Sequence, residues 1–174
     1  MKKLALLILL MMIFQSSVFS RPVVFNDDGK FGLKDENGNI VVKAEYKKLI
    51  RLGESGWIIQ KGSKFGIMND EGKILVEPKY NRADRVLGKF AKLTKGEKNG
   101  LFDEKGFVIL PPEYSSIDLL FGGMFLTCKN YKYGVTDFNG QPILDNIFDD
   151  IYMPKPNVMI ITYNGQPVSY THLR

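Results

Sequence analysis

The chain has 174 residues, with 24 basic against 19 acidic, one histidine and one cysteine. A single cysteine excludes an internal disulfide, and the lone histidine, His172, lies in the closing tail, so His-based catalysis and His-ligated metals have nothing to build on. The net charge of +5 hints at an anionic partner; with Lys2, Lys3 and Arg174 set aside, 21 basic residues face 19 acidic ones and the balance is +2, which argues against nucleic acid.

Lys2 and Lys3 open the chain, Leu4 to Phe14 is an apolar run without a charge, and Val18 and Ser20 occupy the −3 and −1 positions of a cleavage site. This layout predicts a secretory signal peptide over residues 1–20. The run is about half the roughly 20 residues a membrane span needs, so no span is expected after cleavage, and the mature chain is expected to be periplasmic or extracellular.

From Lys30 onward the chain repeats itself. Lys30 recurs as Lys64, Lys98 and Lys132; Gly32 as Gly66, Gly100 and Gly134; Gly38 as Gly72, Gly106 and Gly140; Tyr46 as Tyr80, Tyr114 and Phe148. Each step is 34 residues, so the register never slips, and a fixed period of this length marks a tandem array. The β-repeat domain is expected over residues 21–167, with units near 29–62, 63–96, 97–130 and 131–164.

Within a unit, Phe31-Gly32-Leu33 and Ile40-Val41-Val42 read as strands from their aromatic and β-branched content. Asp35-Glu36-Asn37-Gly38 between them is turn chemistry: the Asp side chain bonds the backbone ahead, and glycine takes the positive φ. Glycine at Gly32 predicts close approach of another group, expected to be a ring from the Tyr46 column. Pro78 and Pro111-Pro112 predict that the second strand stops or becomes an edge. Tyr46 and Leu49 are expected to plug the core from an irregular link. A third strand, Trp57-Ile58-Ile59, aligns with Ala91-Lys92-Leu93, Phe125-Leu126-Thr127 and Met159-Ile160-Ile161, with the Lys92 column facing out. Helical tetratricopeptide arrays share the period, but no stretch here has the i, i+3, i+4, i+7 apolar spacing of a helix.

The succession Lys-aromatic-Gly, Asp-x-x-Gly, a β-branched triplet and Pro-x-Tyr resembles the bacterial WG (KWG) repeat family from Gly29 to about Gln166. Phe31, Phe65, Asn99 and Tyr133 stand where that family has its tryptophan, and Lys43-Ala44-Glu45 lacks the proline. The resemblance implies a β-rich bacterial repeat array with an interaction role. The expected fold is all-β: three-stranded antiparallel meanders of 34 residues stacked as an open array, the alternative being a propeller-like ring. One meander cannot bury its own apolar face, whereas stacked neighbours make a continuous core.

Other constellations have plainer readings. Asp35–Gly38 and Asn26–Gly29 lack the alternating ligands and later carboxylate of a calcium loop. Asp145, Asp149 and Asp150 cluster in the fourth unit, but the pair Asp149-Asp150 aligns with Lys47-Lys48, Asn81-Arg82 and Ser115-Ser116 in other units, so that column reads as a solvated face. Cys128 reads as a half-buried thiol with nothing to activate it. Neither a catalytic set, nor a metal site, nor a cofactor is expected. Lys30, Lys64, Lys98 and Lys132, with Lys61, Lys95 and Lys129 three residues earlier, form a candidate stripe for anionic envelope polymers, or else guard the hairpin ends. Tyr131, Phe138 and Tyr152 are candidate exposed aromatics for carbohydrate. The leading expectation is a non-catalytic exported scaffold for protein partners of unknown identity. Val168 stands where the frame places a glycine, and residues 168–174 resemble a translated sequencing adapter, so that tail is expected to be non-native and the natural chain to continue beyond Gln166.

Overall fold

The computed structural model describes residues 21–156 and 158–171; the expected signal peptide and His172 lie outside them. The first sheet holds β1 (Val23–Asp27), β2 (Lys30–Lys34) and β3 (Ile40–Tyr46). The second holds β4 (Lys48–Leu52), β5 (Gly56–Lys61), β6 (Lys64–Asn69) and β7 (Ile74–Tyr80). The third holds β8 (Arg82–Val86), β9 (Phe90–Lys95), β10 (Lys98–Asp103) and β11 (Val108–Tyr114). The fourth holds β12 (Ser116–Leu120), β13 (Met124–Lys129), β14 (Lys132–Asp137) and β15 (Pro142–Phe148). The fifth holds β16 (Asp150–Lys155), β17 (Val158–Tyr163) and β18 (Gln166–Thr171). Each sheet is an antiparallel meander in chain order, none is closed into a barrel, and the described residues contain no helix. The all-β tandem array is as expected. In the tail, residues 166–171 pair with β17 from Tyr163↔Gln166 to Val158↔Thr171, so the segment read as foreign to the repeat forms a strand as far as Thr171.

The sheets cut the repeat at a different place from the sequence units. The link after Tyr46, expected to be irregular, is a strand: β4 pairs with β5 from Lys48↔Gln60 to Leu52↔Gly56. The strand at Trp57 then pairs onward with β6, Trp57 opposite Met68. Thus a complete sheet has four strands, two from the end of one sequence repeat and two from the start of the next. The strand was hidden because Leu49-Ile50-Arg51-Leu52 shows no clean alternation: Leu49 packs toward the first sheet, and Ile50 and Leu52 toward the third.

The glycine and proline columns share one cause. Phe65 pairs with Tyr80 and Ile67 with Val76, so Gly66 alone lies opposite Glu77, Pro78 and Lys79. Extra residues on one strand bulge its backbone over the partner. A Cβ on Gly66 would run into the Val76 carbonyl and lie 2.9 Å from the Pro78 nitrogen; on Gly100 it would lie 2.9 Å from the Pro112 nitrogen. Gly32 meets the Ala44 nitrogen at 2.8 Å and, at 2.7 Å, the ring of Phe25. The close approach is therefore backbone, and the one ring involved belongs to β1 rather than to the Tyr46 column. The proline sits in the bulge, where no ladder hydrogen bond is lost, and β7 runs through it as an edge strand.

The turns are built as the sequence predicts. Asp35 Oδ1 accepts the amides of Asn37 (2.9 Å) and Asn39 (2.8 Å), and the Gly38 amide donates to the Asp35 carbonyl at 3.1 Å with φ at 83°. Asp103 and Asp137 repeat this pattern. The glycine has a second role that only stacking reveals: a Cβ on Gly72 would lie 2.8 Å from Val42 Cγ2, and one on Gly106 the same distance from Leu75 Cβ, each in the sheet before.

The core is four slabs, each between consecutive sheets. Leu33, Val42, Tyr46, Trp57, Ile59 and Met68 fill the first. Ile58, Ile67, Tyr80, Ala91, Leu93 and Phe102 are in the second. Phe90, Leu101, Leu110, Ile117 and Phe125 fill the third, and Met124, Val135, Ile151, Met153, Met159 and Ile161 the fourth. Strand β5 contributes to two slabs, Trp57 and Ile59 backward and Ile58 forward, so it is buried on both faces. The Lys92 column, expected to face solvent, instead faces the next sheet: Ile58 is 1% exposed, and Lys92 Nζ donates to the Ile117 carbonyl of β12 at 3.3 Å.

Candidate interaction surface

The lysine column opens β2, β6, β10 and β14, immediately after a tight turn. Its members occupy equivalent places in successive sheets. Lys132 is paired with Asp149. Two lysines of the neighbouring column are spent on stacking: Lys61 reaches back to Glu45 of the first sheet at 3.0 Å, Lys129 pairs with Glu113 of the third, and their ammonium groups lie 5.8 and 6.0 Å from the ring centres of Tyr46 and Tyr114. The Lys61 hydrogen bond holds the Glu45 carboxyl below its ordinary pKa, and Glu113 raises that of Lys129. Burial, with Glu45 beside it, pushes the Tyr46 phenol up to about 12. Among the described residues Lys30, Lys64 and Lys98 are in no ion pair. The stripe is thus interrupted by acids.

The three candidate aromatics are not brought together. Tyr131 is 94% exposed at the tip of the β13–β14 turn and Tyr152 is 59% exposed on β16. Phe138 packs inward instead: its ring centre lies 5.0 Å from that of Phe125 and 5.6 Å from that of Phe90. It occupies the turn position held by Glu36, Asp70 and Glu104 elsewhere, and that turn folds against the preceding sheet.

Two features went unrecognised in the sequence. Asp70 Oδ1 accepts the Trp57 indole N–H at 2.7 Å, Asp70 pairs with Arg51, and the Arg51 guanidinium lies 4.9 Å from the centre of the Trp57 ring. Asp70 is 7% exposed, and its charge is matched by hydrogen bonds from both partners, as burial of a carboxylate requires. The three come from two successive repeats and occur together in one sheet only, so periodicity could not flag them. The other feature is an apolar groove of about 380 Å³ between β12 and β16, lined by Leu119, Leu120, Phe121, Leu126, Ile151, Tyr152 and Met153. Leu119 and Phe121 are 48% and 55% exposed. Among the described residues no group of three or more His, Cys, Asp or Glu could hold a metal ion, and no helix is long and apolar enough to cross a membrane.

Sheets of equal build, stacked in sequence order and fixed to each other by turns and ion pairs, define a tandem β-repeat protein. The chain matches the WG-containing repeat family over residues 31–60, 65–98 and 100–133, and it belongs to that family. No curated protein matches it. Among solved structures it is similar to PorZ, an essential bacterial surface component of the type-IX secretion system of Porphyromonas gingivalis, with 12% identity and a TM-score of 0.39. That similarity covers 87% of this chain, which spans about a quarter (25%) of the other protein's length.

Proposed function

We propose that this protein is a non-catalytic, exported scaffold of the bacterial envelope that holds protein partners on the outer faces of its sheet array. Export rests on the layout of residues 1–20. The observation that carries the scaffold reading is the contrast between columns. Positions that set the stack are held in every repeat: the bulge glycine, the turn glycine and the aromatic of the Tyr46 column. Solvent-facing positions such as Lys47, Asn81 and Ser115, with the half-buried Asp149 at the fourth step, carry a different residue each time on the same frame. Repeat arrays bind through such extended surfaces. The test is capture from envelope extract on the immobilised chain, with Leu119→Asp and Phe121→Asp as the control. A protein retained by the wild type and lost by the variant supports the reading; identical retained sets from both remove it for this surface.

The alternative is an anionic envelope polymer on the lysine column, supported by Lys30, Lys64 and Lys98, which lack acidic partners among the described residues. Such binding weakens steeply with salt. Retention of an acidic polymer that is flat from low to high salt, or unchanged in a Lys30→Glu, Lys64→Glu, Lys98→Glu variant, removes it.

A further inference from the structure

Three joints of the array lie between first strands of successive sheets: β4 with β8, β8 with β12, and β12 with β16. All four are edge strands, and an edge strand points every second carbonyl away from its sheet. In the first two joints one of these carbonyls accepts from a basic side chain of the adjoining sheet. Arg85 of β8 donates to the Arg51 carbonyl of β4 at 3.0 Å, and Lys92 of β9 donates to the Ile117 carbonyl of β12 at 3.3 Å. Each clasp lays an aliphatic stem along the seam and sets its charge on the backbone of the neighbouring sheet.

The third joint has the same backbone and, among the described residues, neither clasp. Leu119 pairs with Phe125 as Arg51 pairs with Trp57, and Ile151 pairs with Ile161 as Ile117 pairs with Thr127, so the Leu119 and Ile151 carbonyls also point outward. Two periods on from Arg85 stands Met153, and one period on from Lys92 stands Leu126. Neither side chain can donate a hydrogen bond. It is at this joint that the groove of about 380 Å³ opens, and no lysine or arginine lines it. Leu119, Phe121 and Tyr152 are exposed on its walls. Asp118 and Asp150 each stand one residue before a lining residue, Leu119 and Ile151; both are exposed, and among the described residues neither is in an ion pair.

We infer that the groove between β12 and β16 takes a basic, aliphatic segment of a protein partner, which supplies from outside the clasp that the other two joints carry within the chain. The partner's arginine or lysine caps the Leu119 or Ile151 carbonyl, with Asp118 and Asp150 to match its charge. A large aliphatic neighbour on the same segment covers Leu119, Phe121 and Tyr152. Arg85 and Lys92 are the internal templates for this chemistry; an acidic segment meets the wrong charge, and a purely apolar one leaves both carbonyls without a donor. The inference rests on the scaffold reading and names the chemistry of one partner.

The experiment is fluorescence anisotropy on the purified chain, with a labelled Leu-Arg-Leu-Leu-Arg peptide and its Leu-Gln-Leu-Leu-Gln counterpart. The arginine peptide is expected to bind saturably, and the glutamine peptide about tenfold more weakly, as loss of a charge-assisted hydrogen bond requires. Asp118→Asn with Asp150→Asn is expected to weaken the arginine peptide by a similar factor. Asp27→Asn with Asp28→Asn, the same change of charge at exposed positions near the start of the array, is expected to leave it unchanged. Leu126→Lys installs the clasp that Lys92 forms one sheet earlier, and is expected to close the groove and abolish binding while circular dichroism still reports a folded β-protein. Should that variant not fold, the two aspartate pairs decide. No saturable binding, equal binding of the two peptides, or equal effects of the two aspartate pairs overturns the inference, as does a folded Leu126→Lys chain that binds like the wild type. Such a failure leaves the scaffold reading in place if envelope proteins are still lost from the Leu119→Asp, Phe121→Asp chain; identical retained sets in that capture remove the scaffold reading for this surface instead.

Discussion

At the residue scale the two glycine columns separate cleanly by cause. Gly66→Ala puts a methyl group into the Val76 carbonyl, and a backbone bulge cannot yield as a flexible side chain does. We expect a loss of about 3 kcal/mol, the upper end for overpacking, read as a lower denaturant midpoint at constant slope. Gly62→Ala meets nothing within 4 Å but keeps φ at 61°; it should cost only about 1 kcal/mol from the left-handed conformation. Equal losses at the two sites would contradict the bulge account. Asp70→Ala removes the carboxylate that Trp57 and Arg51 share, leaving a half-buried guanidinium and a buried indole N–H without their acceptor. The expected cost is about 3 kcal/mol, measured against Trp57→Phe, which removes one hydrogen bond and keeps the ion pair. The sequence made the first of these sites legible, because glycine at a fixed period has few physical causes. It could not reveal the second. Arg51, Trp57 and Asp70 occur together once, and their contact depends on a sheet boundary that the period alone does not place.

At the scale of the element, the Tyr46 phenol ties an edge strand to the next sheet. It is 4% exposed, and burial raises its pKa to about 12 against an ordinary value of 10.0. The folded state holds the neutral phenol more firmly than the unfolded chain does. Its contribution is thus fully present below pH 10 and lost as pH rises through about 12. Tyrosinate absorbance should therefore rise late, together with loss of β-structure, and Tyr46→Phe should flatten the decline in stability over that window. A tyrosine that titrates near its ordinary pKa in the folded protein would contradict the packing described. The opposite sign applies to Glu45. Its carboxyl is held low by Lys61, so its contribution is present above the ordinary carboxylate range and fades as acid protonates it. The turn and strand types of these elements were legible in the sequence from Asp-x-x-Gly and the β-branched triplets. The edge strand after Tyr46 was not, since Lys48-Leu49-Ile50-Arg51-Leu52 faces a core on parts of both sides and shows no clean alternation.

At the scale of the whole molecule, each slab of core is shared only by consecutive sheets. Stability in such a stack is close to a sum of sheet and interface contributions. Amide exchange should therefore be slowest in β5, β6, β9 and β10, which lie inside sheets flanked on both sides, and fastest in β1 and β16. Leu93→Ala, at a side chain that is fully buried between the second and third sheets, should cost about 3 kcal/mol. It should also split thermal unfolding into two steps by weakening that joint. A single transition with uniform exchange would indicate coupling beyond nearest neighbours.

The sharing of each sequence repeat between two sheets has a genetic consequence. Because every complete sheet takes two strands from one repeat and two from the next, the joint between repeats lies inside a sheet and not between sheets. An in-frame deletion or duplication of one period, wherever its breakpoints fall, rejoins strands of the right kind in the right order. Unequal recombination can then lengthen or shorten such a gene without leaving half a sheet behind. The outward columns would be reshuffled while the stacking columns stayed in step. Diversity of the surface and constancy of the frame would follow from the same offset.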